Sequence, residues 1–254
     1  MNVDITDPPD LLVLCGGQGT RLRSILRGQP KPLAMMGKRP FIEFAIAPFV
    51  WQGVRRVILC TGHLGHQFEK WGANHTCTYD LIFSREPMPL GTAGAIRHAS
   101  QLITSSTVVV ANGDSVCGID LHRLLACHAE KKARATMALT NSDGRRDVGM
   151  VVMDAQHRIT AFCEKGGDRS VGFHNAGIYV FERSVLELIP ARQPCSLELE
   201  WLPTLIPTGI YGFVSQGPLY DIGTPERLAE FQTLVCSKAA SQGIPSSIRF
   251  VACA

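Results

Sequence analysis

The sequence has little surplus charge and no long apolar run. Its 25 basic and 22 acidic residues leave a net charge of +3 over 254 residues, and the basic residues are dispersed. Binding to nucleic acid or to an acidic membrane surface needs concentrated positive charge. No stretch approaches the roughly 18 consecutive apolar residues of a membrane helix. Residues 1–10 are acidic and carry two prolines, unlike a signal peptide. We therefore expect neither nucleic acid nor membrane as a partner.

Paired cysteines are also missing. The nine cysteines are an odd number and are scattered singly along the chain. Such spacing makes a poor disulfide framework and suits a reducing compartment, so we expect a cytoplasmic protein. His63 and His66 lie three residues apart, but no cysteine pair with ligand-like spacing accompanies them. The sequence therefore gives no zinc site.

What the first half does contain is an alternation of short apolar runs with segments of helical spacing. Buried strands are predicted at residues 11–15, 56–61, 81–84 and 107–111, with helices at 41–51, 64–71 and 91–102. The strands are continuously apolar, as in a parallel sheet that is covered on both faces. With 45% hydrophobic residues, the chain can form one large domain. The pattern predicts an α/β, Rossmann-like fold with a mainly parallel central sheet flanked by helices.

The pattern changes after Asp114. Strand-like runs at residues 135–140, 149–153, 159–163 and 176–181 follow a predicted helix at 121–131, and this order favours a smaller antiparallel part. Further along, we predict a helix at 196–206, a strand at 209–215 and a helix that starts with Thr224 as its N-cap and Pro225 in its first turn. We expect a single domain, 1–254, with two halves at 11–115 and 116–235 and a tail at 236–254.

A glycine-rich segment directly follows the first predicted strand. It reads LCGGQGTRL from Leu14, with glycines at 16, 17 and 19. Without side chains, backbone N–H groups can approach phosphate oxygens closely, although tightly packed turn glycines are the simpler alternative. Two common phosphate-binding patterns fit badly. Thr20-Arg21 stands where a P-loop has Gly-Lys-Ser/Thr, and Leu22 takes the place of the third glycine of the dinucleotide fingerprint.

Two basic residues favour the anion-binding interpretation. Arg21 can clamp phosphate oxygens in a fork, and Lys31 supplies a compact point charge. Prolines at positions 30 and 32 stiffen the backbone around Lys31. Asp114 follows the predicted strand 107–111, at the edge where open α/β sheets bind ligands. Because Mg²⁺ needs few protein carboxylates when phosphate and water complete its octahedron, Asp114 and the distant Asp221 could share one such ion, although either aspartate considered alone is more often a cap or turn residue.

Six motifs in a fixed order resemble the sugar nucleotidyltransferases. They are CGGQGTRL with PKP, EPMPLGTAGA, NGDS, FCEK, NAGIYVF and DIGTPERL, and they span roughly residues 11–235. The resemblance implies transfer of a nucleotidyl group from a nucleoside triphosphate to a sugar 1-phosphate, with release of pyrophosphate. It also implies that 11–115 binds the nucleotide and 116–235 the sugar phosphate. The segments PKPLA…GKRPFIEF and SLELEWLP look most like heptose 1-phosphate guanylyltransferases, with mannose 1-phosphate guanylyltransferases as near relatives.

The resemblance also implies roles for individual residues. It gives Arg21 and Lys31 a catalytic role through their positive charge, and it gives Asp114 and Asp221 the role of Mg²⁺ ligands. Nucleotide contacts are assigned to Leu14, Gly16, Gly17, Gly19, Thr20, Glu86, Gly91, Thr92, Asn112 and Gly113. The sugar phosphate is assigned to Glu164, Lys165, Asn175 and Gly177.

Glu86 bears on the choice of base. A carboxylate only accepts hydrogen bonds. Guanine presents two adjacent donors, whereas uracil and thymine flank one N–H with acceptors, and adenine and cytosine pair a donor with an acceptor. Glu86 therefore favours GTP as the donor, unless this helix-entry carboxylate touches only backbone or solvent.

Several alternatives stay open on the sequence alone. Mannose 1-phosphate, or a nucleoside triphosphate other than GTP, could replace the expected substrates. A glycosyltransferase with a similar nucleotide-binding half normally carries Asp-x-Asp, where this chain has Asn112-Gly113-Asp114. A non-catalytic nucleotide-sugar sensor would bind ligand without turnover, although it would not need Lys31, Asp114 and Asp221 together. A homo-oligomer is possible, and its size cannot be read from the sequence.

Overall fold

The structure is a computed structural model that describes residues 7–142, 149–163, 172–191 and 194–240. The strands are β1 Asp10–Leu14, β2 Met35–Met36, β3 Arg39–Pro40, β4 Arg56–Thr61, β5 Asp80–Arg85, β6 Thr107–Asn112, β7 Ser115–Cys117, β8 Ala135–Asn141, β9 Met150–Met153, β10 Ile159–Cys163, β11 Phe173–Glu182, β12 Ile210–Val214 and β13 Leu219–Asp221. The helices are α1 Arg23–Leu26, α2 Phe41–Trp51, α3 Gly65–Ala73, α4 Gly91–Ala99, α5 Leu121–Glu130, α6 Leu202–Leu205 and α7 Pro225–Ala240. Among the described residues, no helix is long and apolar enough to cross a membrane.

One large sheet organises the described part of the chain. Its strands run in the order β10-β9-β11-β6-β1-β4-β5, with β8 paired to β11 and β12 paired to β8. The pairs β6-β1, β1-β4 and β4-β5 are parallel. The pairs that β11 makes with β6, β8 and β9 are antiparallel. The predicted mixed, mainly parallel sheet and the antiparallel second part are therefore confirmed.

Helices cover both faces of the sheet, as the continuously apolar strands predict. Alternate residues of β1 enter opposite cores, because neighbouring strand side chains point to opposite faces. Leu12 packs with Ala93 and Ile96 of α4. Leu11 packs in the other core with Ile46 of α2 and with α3 and α5 residues.

A third apolar cluster positions the start of α7. Phe231 of α7 stacks edge-on against Phe41 and Phe44 of α2, with ring centroids 4.9 and 5.6 Å apart. The same cluster contains Leu22, from the turn after the glycine loop, and Ile222, which follows β13. The glycine loop, β13 and the first turn of α7 are thereby packed together.

The prediction of one regular helix at 196–206 is wrong. It begins as a π-helical turn, Leu197–Trp201, continues as α6 and ends as a 3-10 turn, Ile206–Thr208. Prolines at 203 and 207 supply no backbone N–H, so regular α-helical bonding cannot run through the segment.

A buried histidine predicts how stability depends on pH. His128 lies 2.8 Å from the Thr136 hydroxyl through Nδ1 and 3.1 Å from Glu182 Oε1 through Nε2. Burial lowers the pKa of His128 below its usual 6.5, although Glu182 opposes this shift. Below that usual value the unfolded chain takes up the proton first, so stability is lost as the pH falls towards the folded pKa. We expect the melting temperature to drop between pH 7.5 and 5.5, and to drop less steeply in His128→Gln. An equal slope in both proteins would contradict this.

Candidate active site

The glycine loop leaves the sheet at the carboxyl end of β1. Cys15 N–H donates to Cys60 O (2.9 Å) and Gly113 N–H donates to Leu14 O (3.0 Å), so the start of the loop is held by β4 and by the end of β6. Gly19 has a φ of +56°, in the left-handed region that favours glycine. The structure thus places the loop between neighbouring strands, where α/β sheets commonly bind ligands.

A cavity of about 730 Å³ opens beside this loop. Nine of the residues predicted from sequence line it: Gly19, Thr20, Arg21, Lys31, Asn112, Asp114, Asn175, Gly177 and Asp221. These residues come from both halves of the chain, so one site unites them. Seven others do not line it: Leu14, Gly16, Gly17, Glu86, Gly91, Thr92 and Gly113. The predicted Glu164 and Lys165 lie outside the described residues.

Lys31 is directed into the cavity by a short, stiff segment. It begins a 3-10 turn, Lys31–Leu33, and the two residues after it are buried. Its ammonium forms an ion pair with Asp114 Oδ2, and its side chain is only 17% exposed. The proline-bracketed lysine is therefore a fixed charge at the cavity wall.

Asp114 and Asp221, the two predicted metal ligands, are neighbours in the fold although they lie far apart in sequence. Strands β7 and β13 pair antiparallel, and Asp221 stands opposite Ser115, the residue after Asp114. Ile222 N–H donates to the Asp114 carbonyl at 3.1 Å. Both acids line the cavity. Sequence alone did not reveal this pairing, because strands as short as β7 and β13 carry a weak pattern.

Arg227 is a site residue that the sequence analysis missed. Its Nη1 lies 2.9 Å from Asp221 Oδ1 and 3.1 Å from Oδ2. The predicted N-cap is confirmed, since Arg227 N–H donates to Thr224 Oγ1 at 3.4 Å, and this turn puts the arginine at the cavity wall. Arg227 belongs to the DIGTPERL motif, six residues after Asp221, and this motif is the signal that could have identified it.

The donor set of these acids fits a divalent cation that is shared with phosphate. Asp114 faces Lys31, and Asp221 faces Arg227, so the carboxylates are charge-balanced within the protein. No group of three or more His, Cys, Asp or Glu side chains that could cage a metal occurs in the described ranges. Mg²⁺ does not need such a cage, because one or two carboxylates with phosphate oxygens and water suffice.

Asn175 and Gly177 form a rigid turn inside β11. Asn175 Nδ2 donates to the Tyr179 hydroxyl (2.8 Å), and Gly177 N–H donates to Asn175 Oδ1 (2.9 Å). Gly177 has a φ of +70°, and a Cβ there would lie 2.5 Å from Asn112 Nδ2. Only glycine therefore lets Asn112 and Asn175 line one cavity wall together.

Glu86 stands just beyond the end of β5, beside the glycine loop. Its Oε2 accepts from Leu90 N–H at 3.0 Å. A Cβ at Gly16 would lie 2.8 Å from Oε1, and one at Gly62 would overlap the same carboxylate. Burial raises the pKa of Glu86, opposed by the Leu90 hydrogen bond and by His98. The backbone contact foreseen in the alternative interpretation is present on one oxygen, while the other faces the loop.

Gly91 and Thr92 have structural partners at the start of α4. Gly91 has a φ of +72°, and a Cβ there would lie 2.5 Å from Cys195 O. The Thr92 hydroxyl accepts from Leu197 N–H at 2.7 Å. These contacts join α4 to the π-helical turn, and a nucleotide contact by either residue stays a prediction.

The comparisons with known proteins agree with this architecture. A family model described as "Nucleotidyl transferase" matches residues 11–238. The chain is 36% identical over 225 residues to a mannose-1-phosphate guanylyltransferase of Mycobacterium tuberculosis, covering 87% of this chain and 63% of that relative. It is 33% identical to the D-glycero-alpha-D-manno-heptose 1-phosphate guanylyltransferase of Aneurinibacillus thermoaerophilus, covering 85% of this chain and 94% of that one.

A solved structure has a similar fold. HddC of Yersinia pseudotuberculosis, which has also been crystallised with GMP-PN, superposes with a TM-score of 0.79 at 28% identity in both crystal structures. The structure without GMP-PN covers 89% of this chain and 99% of HddC. With a family model over most of its length, the chain belongs to the nucleotidyl transferase family.

Proposed function

We propose that this protein transfers a guanylyl group from GTP to a sugar 1-phosphate and releases pyrophosphate. The observation that carries the proposal is one cavity in which Lys31 and Arg227 face the carboxylates of Asp114 and Asp221 beside a glycine loop. The relatives named as guanylyltransferases support the choice of reaction and of base.

The proposed chemistry is a direct in-line displacement. An oxygen of the sugar 1-phosphate attacks the α-phosphorus of GTP, and the bond to pyrophosphate breaks. The attacking phosphate is already an anion, so no side-chain nucleophile is required, and catalysis is positioning and charge neutralisation. The loop at 16–19 and Arg21 hold the triphosphate, and Lys31 offsets the charge of its phosphates. Lys165 holds the acceptor phosphate and Glu164 the sugar hydroxyls, as the family resemblance implies.

Asp114 and Asp221 are the residues that would hold Mg²⁺. Bound there, the ion would neutralise phosphate charge and orient the pyrophosphate leaving group. Lys31 and Arg227 form ion pairs with these carboxylates. A divalent ion bound to these acids would therefore compete with the two cations for the same pair of carboxylates. The phosphates of the triphosphate would then offer new partners to the cations.

If Glu86 selects guanine, kcat/KM should be lower with inosine triphosphate, which lacks the 2-amino donor. A hydrogen bond to a charged group contributes about 1.5–3 kcal/mol, so kcat/KM for GTP should exceed that for ITP by about ten- to a hundredfold. In Glu86→Gln this preference should fall to a few-fold. Glu69→Gln, an exposed glutamate on α3, is the control. Equal GTP preference in Glu86→Gln and the wild type would show that Glu86 does not read the base.

For the sugar, we propose D-glycero-α-D-manno-heptose 1-phosphate. The segments PKPLA…GKRPFIEF and SLELEWLP resemble those of heptose 1-phosphate guanylyltransferases, and the heptose relative is 33% identical over 218 residues. Mannose 1-phosphate is the second candidate, because the mannose relative has the higher identity, 36% against 33%.

A substrate panel tests the proposal. Each of the four common nucleoside triphosphates is mixed with heptose, mannose or glucose 1-phosphate and Mg²⁺, and pyrophosphate release is followed. We expect release with GTP and with heptose or mannose 1-phosphate, fastest with the heptose. Binding without release in every combination would favour the sensor alternative, and release only with another nucleotide would refute the guanine assignment.

A further inference from the structure

Glu198 lines the cavity, and the sequence analysis gives it no role. It lies on the π-helical turn Leu197–Trp201, which starts at the N-cap Ser196. Ser196 Oγ accepts from Leu199 N–H at 3.3 Å. Isolated π-helical turns are rare and occur often at functional sites. Its position on such a turn, at the cavity, makes Glu198 a candidate functional residue.

Two separate elements fix the orientation of the Glu198 carboxylate. The Tyr179 hydroxyl, on β11 and fully buried, donates to Glu198 Oε1 at 2.9 Å. The Thr92 hydroxyl, on α4, makes only a long contact of 3.4 Å to Oε2. A carboxylate oxygen has two lone pairs, so Oε2 retains capacity to accept from a ligand in the cavity.

The chemistry of a carboxylate indicates which part of a ligand it can meet. Phosphate groups would be repelled by Glu198, and the cavity already offers them Arg21, Lys31 and Arg227. Hydroxyl groups, in contrast, donate well to a carboxylate. Glu198 is linked through Tyr179 to Asn175, whose amide lines the same cavity. A hydroxyl-rich ring beside Asn175 would therefore lie within reach of the same network.

We propose that Glu198 accepts hydrogen bonds from the acceptor sugar's hydroxyls and so determines which sugar 1-phosphate is used. This inference rests on the proposed guanylyl transfer and adds a specificity residue to it. The competing role is purely structural: Glu198 could serve only as the hydrogen-bond partner of the buried Tyr179 hydroxyl.

Glu198→Gln separates the two roles, because its amide oxygen still accepts from Tyr179 while the charge is lost. Wild type and variant are compared on mannose 1-phosphate and on its 2-, 3-, 4- and 6-deoxy analogues, with GTP in excess. We expect the variant to lose about ten- to a hundredfold in kcat/KM on the parent sugar, the usual size for a lost charged hydrogen bond. On the one deoxy analogue that lacks the partner hydroxyl, wild type and variant should differ by less than about threefold. The KM for GTP should stay within about twofold.

Glu200→Gln is the matched control, since Glu200 lies on the same π-helical turn and does not line the cavity. It should leave both KM values unchanged. A lower melting temperature of Glu198→Gln with unaltered sugar discrimination would assign the structural role and overturn the inference. If the wild type and Glu198→Gln instead differ in how they discriminate GTP from 2′- or 3′-deoxy-GTP, the carboxylate lies at the ribose. This result would also overturn the inference. If the wild type turns over neither mannose 1-phosphate nor heptose 1-phosphate with GTP, the proposed function itself is refuted, and this inference with it.

Discussion

Replacing Lys31 by alanine is expected to lower kcat/KM for GTP by about a hundredfold or more, the usual cost of removing one well-placed charge from an active site. Lys31 is held on a stiff 3-10 turn and is mostly buried at the cavity wall. Its loss would leave the negative charge of Asp114 unopposed there, so both the binding of the triphosphate and the chemical step should suffer. Pyrophosphate release under initial-rate conditions measures the effect.

The control for this variant is Lys38→Ala. Lys38 is an exposed lysine in the turn between β2 and β3 and does not line the cavity. Its rate should match that of the wild type. Both variants should melt within a few degrees of the wild type, because neither change removes core packing. Undiminished turnover of folded Lys31→Ala would contradict the role of this lysine.

Asp114→Ala and Asp221→Ala are each expected to abolish most turnover, by a different route. Either change removes the carboxylate that faces a cation at the cavity wall, Lys31 in the first variant and Arg227 in the second. Those cations remain available to the triphosphate, so GTP binding should persist while kcat falls by about a hundredfold or more. The Lys31 variant should weaken both quantities, and this contrast separates acids that hold metal from a cation that holds phosphate.

Metal binding gives a readout independent of turnover. Mn²⁺ titrated in the presence of GTP and followed by electron paramagnetic resonance should bind the wild type and bind each aspartate variant at least about tenfold more weakly, as expected when one of only two protein carboxylates is lost. Asp80→Ala, an exposed aspartate at the start of β5, should behave as the wild type. Full Mn²⁺ affinity and full turnover in both cavity variants would remove these acids from the site.

Local patterns were enough to predict most of the sheet. The strand at 56–61 and the helix at 41–51 have the predicted bounds, because continuous apolar runs and helical spacing are properties of short segments. The predicted N-cap at Thr224 is confirmed for the same reason. Where prolines interrupt hydrogen bonding, at 196–206, the periodicity predicted a regular helix and was wrong about its π-helical start.

The sequence pointed to some of the residues that line the cavity and to none of the pairings between them. The motifs pointed to Lys31, Asp114 and Asp221, which all line one cavity. Asp221 contacts Arg227 because the chain turns between the end of β13 and the start of α7, and Asp114 lies beside Asp221 because of the β7–β13 register. These relations depend on tertiary packing, which a single sequence does not encode in any local pattern.

The same reasoning explains why Glu198 was missed. Its hydrogen-bond partner Tyr179 lies nineteen positions away on a different element, and the tyrosine reads as an ordinary core residue of β11. A buried tyrosine hydroxyl must find a partner, and here that partner is an acid at the cavity wall. Only the folded chain shows that this carboxylate contacts the buried Tyr179 hydroxyl and also lines the cavity.

Following the α-phosphate of GTP tests the central claim most directly. GTP labelled at that phosphate is incubated with the purified protein and Mg²⁺, with and without heptose or mannose 1-phosphate. We predict that the label moves into a nucleotide sugar only when the sugar phosphate is present, with one pyrophosphate released for each product formed. Label that stays in GTP with every sugar phosphate, or that appears in GMP whether or not a sugar phosphate is present, would contradict the account.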